Sequence, residues 1–447
     1  ADRTTLLRLY RSLVRSKSDY GSIVYGSARD SFLESLDRVQ NAALRVCLGV
    51  FRTTPISSLH VEANELPPKL RRQKLSLQYI MKLKANPNNP AFSSVFQPNY
   101  TVLFNAKPNT IPTLGLRIRQ AISDSGINLN SIALQSLPSI PPWLLNPPGF
   151  DYTLYNIGTK LDTPPDLYIS VYQELISEKY DGCTQIFTDG SKQGSAVAAA
   201  AVVIDKVLVL RLPDHASIFL AEAQAILLAL DIISQSSNQD FVILSDSLSC
   251  VEAIKHRHLQ NPLIVKILER LHQQLRCDRS ITFVWVPSHI GIAGNTAADA
   301  TAKAALNLPM SNTKIPHSDL KSLVSSYVKS CWQNSWNAEP NKLYKIQPAI
   351  EPSIISHLPR RDEALIHRLR VGHTHLTHSF LLHRENPPEC DFCHSPLTVE
   401  HLLISCCKYV SVRQKFYNVN SLAELFQKFN VHVIVAFIKE IGLFRKL

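Results

Sequence analysis

The chain has 447 residues, 45% of them hydrophobic, which excludes a disordered protein and supplies apolar material for two or three buried cores. Forty-seven Lys and Arg against thirty-six Asp and Glu give a formal charge of +11, which disfavours a cationic partner and favours the phosphates of a nucleic acid. Of the cysteines, Cys47, Cys183, Cys250, Cys277 and Cys331 stand alone in the chain, while Cys390, Cys393, Cys406 and Cys407 crowd near its end. An odd total of nine fits the reduced thiols of an intracellular protein better than a secreted disulfide framework.

Residues 4–48 carry helical periodicity. Leu6, Leu9, Tyr10, Leu13 and Val14 form one stripe and Leu33, Leu36, Val39, Gln40, Ala43, Leu44 and Cys47 another, with a break at Asp19-Tyr20-Gly21-Ser22. A third helix, Lys69 to Ala85, has Arg71, Arg72, Lys74, Lys82 and Lys84 on its polar side, so residues 1–85 are expected to be a small basic helical domain. Twelve of the 27 prolines fall between 86 and 165. Proline removes amide donors and restricts the residue before it, which predicts a linker there. Residues 166–308 then alternate strand and helix. Gln185–Asp189, Ala196–Ile204, Lys206–Arg211, Phe241–Asp246 and Ile281–Val286 read as strands. Ile218–Ser234, Ser247–His256, Leu263–Leu275 and Asn295–Ala305 read as helices. The order predicts an α/β fold, a mixed five-stranded sheet with flanking helices. Residues 309–447 are expected to be helical at 320–336 and 362–370, with a knuckle-like Cys/His tail at 390–407. The longest apolar run, Ala196 to Ile204, is too short to span a bilayer, so no membrane partner is expected.

Four acids sit at element ends in the central segment: Asp189 before Gly190-Ser191, Glu222 in the first turn of a helix, Asp246 before Ser247 at a strand-to-helix junction, and Asp299 one turn into the last helix. Any one alone reads as a cap or a partner of the helix dipole. Converging carboxylates repel one another, and a divalent cation between them relieves the repulsion. In the tail, Cys390-x2-Cys393-x7-His401-x4-Cys406 offers four ligands suited to structural Zn2+, with Cys407 leaving the last one ambiguous. The competing reading is a set of ordinary buried thiols beside a chance histidine.

The local sequences resemble type 1 ribonuclease H. Thr188-Asp189-Gly190-Ser191, Ala221-Glu222, Ser245-Asp246-Ser247 and Trp285-Val286-Pro287-Ser288-His289-Ile290-Gly291 through Asn295 to Ala298-Asp299 occur in that family's order over about 120 residues. The resemblance implies hydrolysis of the RNA strand of an RNA/DNA hybrid with two Mg2+ or Mn2+ ions. It makes Asp189, Glu222, Asp246 and Asp299 the metal ligands and His289 a mobile proton carrier. Gly190, Ser191, Ser247 and Asn295 become substrate contacts, Asn295 alternatively fixing its loop. Two departures stand out: Thr296 replaces an acid found in many relatives, and the short segment His256–Pro262 lacks the basic protrusion with which some bacterial members grip the hybrid.

The head resembles the region after the palm of reverse transcriptases from arthropod-type non-LTR retrotransposons. The resemblance is carried by Leu9-Tyr10-Arg11-Ser12-Leu13, Asp19-Tyr20-Gly21-Ser22-Ile23-Val24-Tyr25-Gly26 and Leu36-Asp37-Arg38-Val39-Gln40-Asn41-Ala42-Ala43-Leu44-Arg45. It implies the carboxy-terminal part of a retroelement polyprotein, partnered by an upstream polymerase domain, and the chain opens without methionine. No Asp-Asp dipeptide occurs, so the chain is not expected to polymerise DNA unaided. Two other functions stay open: a catalytically silent nucleic-acid-binding remnant, and an assembly module that recruits a polymerase.

Overall fold

The apolar strand patterns of the central segment do form one sheet. In the computed structural model, which describes residues 1–98, 101–107, 110–135, 138–352 and 358–447, it contains β1 (Gly149–Asp151), β2 (Thr184–Gln193), β3 (Ala196–Val203), β4 (Lys206–Leu212), β5 (Asp240–Ser245) and β6 (Ser280–Trp285). Their spatial order is β1-β6-β5-β2-β3-β4. β2 pairs antiparallel with β3 and β3 with β4, whereas β2, β5, β6 and β1 run parallel. The parallel strands are joined through helices, as their geometry demands. The helices of this region are α1 (Pro165–Lys179), α2 (Ile218–Gln235), α3 (Leu248–Lys255), α4 (Pro262–Leu275) and α5 (Ala293–Ala305). The pairing of β2 with β5 ends at Thr188 opposite Ser245, where β5 stops and β2 runs on beside β3, which sets Asp189 and Asp246 next to each other along the chain direction.

The sheet has six strands, not the expected five. The extra strand, β1, comes from the proline-rich segment. Three residues are too few to show period-2 alternation, and flanking prolines mask them. Phe150 stacks on Phe283 at 5.7 Å, and the Arg257 guanidinium donates to the Pro142 and Leu145 carbonyls at 2.6 and 3.2 Å. The expected linker is thus partly built into the fold: Ile132 bridges Ile315, and the Gln135 amide donates to Ala85.

One face of the sheet packs on α2, where Ala223, Ile226, Leu230 and Ile233 are fully buried. Apolar on nearly every side, α2 is long and apolar enough to cross a membrane, a property the longest-run argument overlooked. It is 72% buried, as suits a core helix. Tyr168 and Leu175 of α1 cover Phe187, Leu244 and Val284 on the other face.

By contact density the chain divides into two units, residues 78–101 with 115–324, and residues 1–77 with 102–114 and 325–447. The sheet belongs to the first. The second is helical and joins the two ends of the chain, which sequence reading treated as separate domains. Leu44, Leu48 and Leu59 share a core with Trp332, Trp336 and Leu343. The fully buried Glu62 accepts from His367 Nδ1 at 2.6 Å and from Arg370 Nε at 3.0 Å. Burial alone would raise its carboxyl, but Arg370 and His367 hold it below the usual carboxylate range. A buried charge persists only when paired in this way.

Neutral histidines make the helical unit acid-sensitive. Burial pushes His60 from 6.5 down to about 4. Burial and the Lys342 ammonium push His378 down to about 4, and burial with His378 and Lys342 pushes His373 down to about 3. His373 and His378 stack at 3.8 Å. The unfolded chain takes up these protons near pH 6.5 and the folded unit only near pH 3–4. These groups therefore cost no stability above pH 6.5, and stability falls as pH drops from there toward 4. Urea titrations at pH 7.5 and 5 should give a lower midpoint at pH 5, and His378→Phe should reduce the difference. An equal difference in the variant would contradict this assignment.

Candidate active site

Asp189 lies in β2, opposite Ala200 of β3, and is buried. Gly190 follows it because α2 crosses there: a Cβ at Gly190 would lie 2.8 Å from both Ala221 Cβ and Glu222 N. That close approach brings Glu222 to Asp189. Ser217 caps α2, accepting from the Leu220 amide. Glu222 is thus the fifth residue of the helix, entering the second turn and not the first. Asp246 follows β5 in the junction to α3, where the Trp285 indole donates to its carbonyl at 3.1 Å.

Candidate ligand oxygens of Asp189, Glu222 and Asp246 all lie within 4.8 Å of one another. Burial, then the charges of Asp246 and Asp299, pushes Asp189 up to about 8. Burial, then Asp189 and Asp246, pushes Glu222 up to about 9. Asp246 is also raised by burial, opposed by the Asn295 amide and His289. Glu222 Oε2 is buried without a hydrogen-bond partner among the described residues. Like charges and an unsatisfied buried oxygen in one pocket are the features that a hard divalent cation corrects.

Asp299 does not join this cluster. Its Oδ2 accepts from Lys303 Nζ at 2.7 Å and lies 3.8 Å from His289 Nδ1. His289 is 65% exposed by its side chain, on a loop where its φ is +52°. Asn295 is buried, with its amide toward Asp246 and its Oδ1 unpartnered among the described residues. This favours the loop-fixing role over direct substrate contact. Ser191 is buried in β2, and Ser247 hydroxyl lies 3.4 Å from that of Ser249.

Sequence reasoning missed Gly294. A Cβ there would lie 2.1 Å from the Phe187 ring, so α5 reaches the sheet only through glycine. Gly294→Ala should cost about 2 kcal/mol or more, read as a lower urea midpoint; an unchanged midpoint would contradict the packing argument. The signal available in the sequence was a glycine just before the Asn295 of the last helix.

The family model of RNase H matches residues 181–307. Residues 181–307 form an RNase H domain. The RNase H1 of the halophilic archaeon Halobacterium salinarum is similar at 21% identity, covering 28% of this chain and 98% of that one, with a TM-score of 0.25. No curated protein matches the chain.

A second cluster lies outside the RNase H domain. Ligand atoms of Cys390, Cys393, His401 and Cys406 fall within 4.8 Å of one another. Cys406 Sγ is 3.8 Å from both Cys390 Sγ and Cys393 Sγ, the edge length of a tetrahedron with bonds of about 2.3 Å. His401 Nδ1 lies 3.3 Å from the Ser395 and Ser405 hydroxyls, and its Nε2 is buried without a partner among the described residues. Cys407 is exposed and its thiol meets the Ser405 carbonyl at 4.0 Å, outside the cluster.

Proposed function

We propose that the chain is a metal-dependent endonuclease that hydrolyses the RNA strand of RNA/DNA hybrids, leaving a 3′-hydroxyl and a 5′-phosphate. The observation that carries this is the convergence of Asp189, Glu222 and Asp246 within 4.8 Å inside the segment matched by the RNase H family. Asp189, Glu222 and Asp246 would hold one Mg2+ or Mn2+ and Asp299, with Asp189, a second. Such ions supply an activated water and charge neutralisation at the leaving oxygen. The remaining work falls to the chain. Asn295 orients the Asp246 carboxylate, Gly190 lets α2 deliver Glu222, and His289 is exposed and close enough to Asp299 to carry protons away from the site. Backbone and hydroxyls around Ser191 and Ser247 would meet the ribose strand, whose 2′-hydroxyl distinguishes RNA from DNA.

Lys303 stands beside Asp299 as a resident cation. Removing it should favour the second ion: Lys303→Met is expected to lower the magnesium concentration for half-maximal cleavage by a few-fold. A higher requirement in the variant would show that Lys303 assists the reaction instead.

We also assign Cys390, Cys393, His401 and Cys406 to one structural Zn2+, supported by the sulfur spacing and the orphaned His401 nitrogen. The order of head, RNase H domain and Cys/His cluster supports origin in a retroelement polyprotein. An assembly reading is favoured by one observation: Leu13, Tyr20, Val24, Phe32, Val39 and Val46 are exposed along the first helices. Such a surface suits a protein partner, and the upstream polymerase segment is the one proposed. Magnesium-dependent cleavage of a labelled hybrid tests the nuclease reading. Hybrid binding without cleavage would leave the silent-remnant reading.

A further inference from the structure

The connection between α3 and α4, residues 256–261, is too short to carry a protrusion of its own. Instead it forms one wall of a cleft of about 1100 Å3, whose other walls are the end of the helix Pro68–Lys84 and residues 316–321. Lys82, Arg257, His258, His317 and Lys321 line it. The other polar side chains on its walls are amides and hydroxyls, Tyr79 among them, and no carboxylate lines it among the described residues. The nearest acid in sequence, Asp319, is engaged elsewhere: it accepts from the Ser217 amide at 3.0 Å and hydroxyl at 2.7 Å. Burial, and after it the Lys321 and Lys82 ammoniums, pushes the His317 imidazole below its usual range, with Asp319 opposing them. Arg257 is fixed by two carbonyls, so its charge is held in place before anything binds.

A wall rich in donors and cations, with no carboxylate among the described residues, suits phosphate oxygens and disfavours cationic ligands. Its position matters equally. α3 begins beside Asp246 and ends at the cleft, and its eight residues span about 12 Å. Over that length a duplex presents about seven phosphates, counting both strands.

We propose that this cleft binds the phosphate backbone of the hybrid engaged at the carboxylates, gripping phosphates remote from the one that is cut. The proposal rests on the hybrid-nuclease reading for the identity of the duplex. Lys82, exposed at the mouth, and Lys321 supply ammonium groups and Arg257 supplies fixed charge, while the His317 imidazole, held neutral, offers a ring N–H donor. The grip carries no base specificity, since phosphate contacts position a duplex without reading it.

The test uses the full chain and an 18-base-pair labelled hybrid, with affinity measured by anisotropy in EDTA across a salt series and cleavage measured in magnesium. Lys82→Ala/Lys321→Ala should flatten the dependence of log K on log salt by about two and raise KM about tenfold. Its kcat at saturating hybrid should stay that of the parent. Lys82→Arg should keep the parent slope, and Lys428→Ala, in the helical unit, should change nothing. A melting midpoint equal to the parent's shows that the double variant is folded; should it be lower, Lys82→Ala alone is expected to flatten the slope by about one. Parent slope and KM in the folded variants would overturn the proposal. If the parent cuts hybrid but the slope never changes, the cleft assignment fails and the nuclease reading stands. If the parent binds but does not cut, and the slope still falls, the nuclease reading fails and the cleft remains a phosphate-binding surface.

Discussion

Asp246→Asn should lower magnesium-dependent hybrid cleavage by about two orders of magnitude or more while leaving hybrid affinity in EDTA nearly unchanged. The substitution keeps the volume and the hydrogen-bonding capacity of the side chain at the β5–α3 junction and removes only the charge. Asp246 shares its pocket with two carboxylates whose proton affinities are raised to about 8 and about 9. Losing one charge therefore relieves repulsion in the metal-free protein. The thermal midpoint in EDTA should stay level or rise, and the rise that magnesium confers on the parent should shrink. A variant that cleaves as the parent does would remove Asp246 from the reaction. One that loses both activity and thermal stability in EDTA would show a structural role instead.

Cys406→Ser should release one zinc per chain and lower the midpoint of the helical unit by at least about 5 °C. Cys406 is fully buried, its thiol is shared between Cys390 and Cys393, and its carbonyl accepts from the buried Arg413 at 2.8 Å. Leu402 and Leu403, in the same short segment, enter the core formed with Leu425, Phe437 and Ile438. Loss of the metal thus loosens the core as well as the loop. Cys407→Ser serves as the comparison, since that thiol is exposed outside the cluster, and should retain both zinc and midpoint. Metal content measured on the two purified variants decides the matter: equal zinc in both would contradict the ligand set. Hybrid cleavage by Cys406→Ser should persist, because its ligands belong to a different unit from the carboxylates.

The sequence carried the central sheet well because its long strands are apolar runs bounded by turns, and α3 through α5 follow a 3.6-residue period, whereas α2 is apolar nearly all round. Of the three clustered acids only Asp246 is tied to an element boundary; Asp189 lies inside β2 and Glu222 in the second turn of α2, and both were legible from their local motifs. β1 escaped because three residues beside prolines show no periodicity; its place is set by Phe150 on Phe283 and by Arg257, more than 100 residues away. The union of the chain's two ends escaped for the same reason. Glu62 meets His367 across 305 positions, and no local pattern encodes such a pairing. The choice between Cys406 and Cys407 also depended on three dimensions, since adjacent residues differ only in which way the backbone turns. Asp299 lies outside the group that falls within 4.8 Å and pairs with Lys303, while its charge still acts on Asp189 and Asp246.

The most direct measurement is magnesium-dependent cleavage of a labelled RNA/DNA hybrid beside matched RNA and DNA duplexes, with Asp189→Asn in parallel. The account predicts cutting of the hybrid's RNA strand alone, abolished in EDTA and in the variant. Cleavage that survives in Asp189→Asn, or a parent that binds hybrid in magnesium without cutting it, would contradict it.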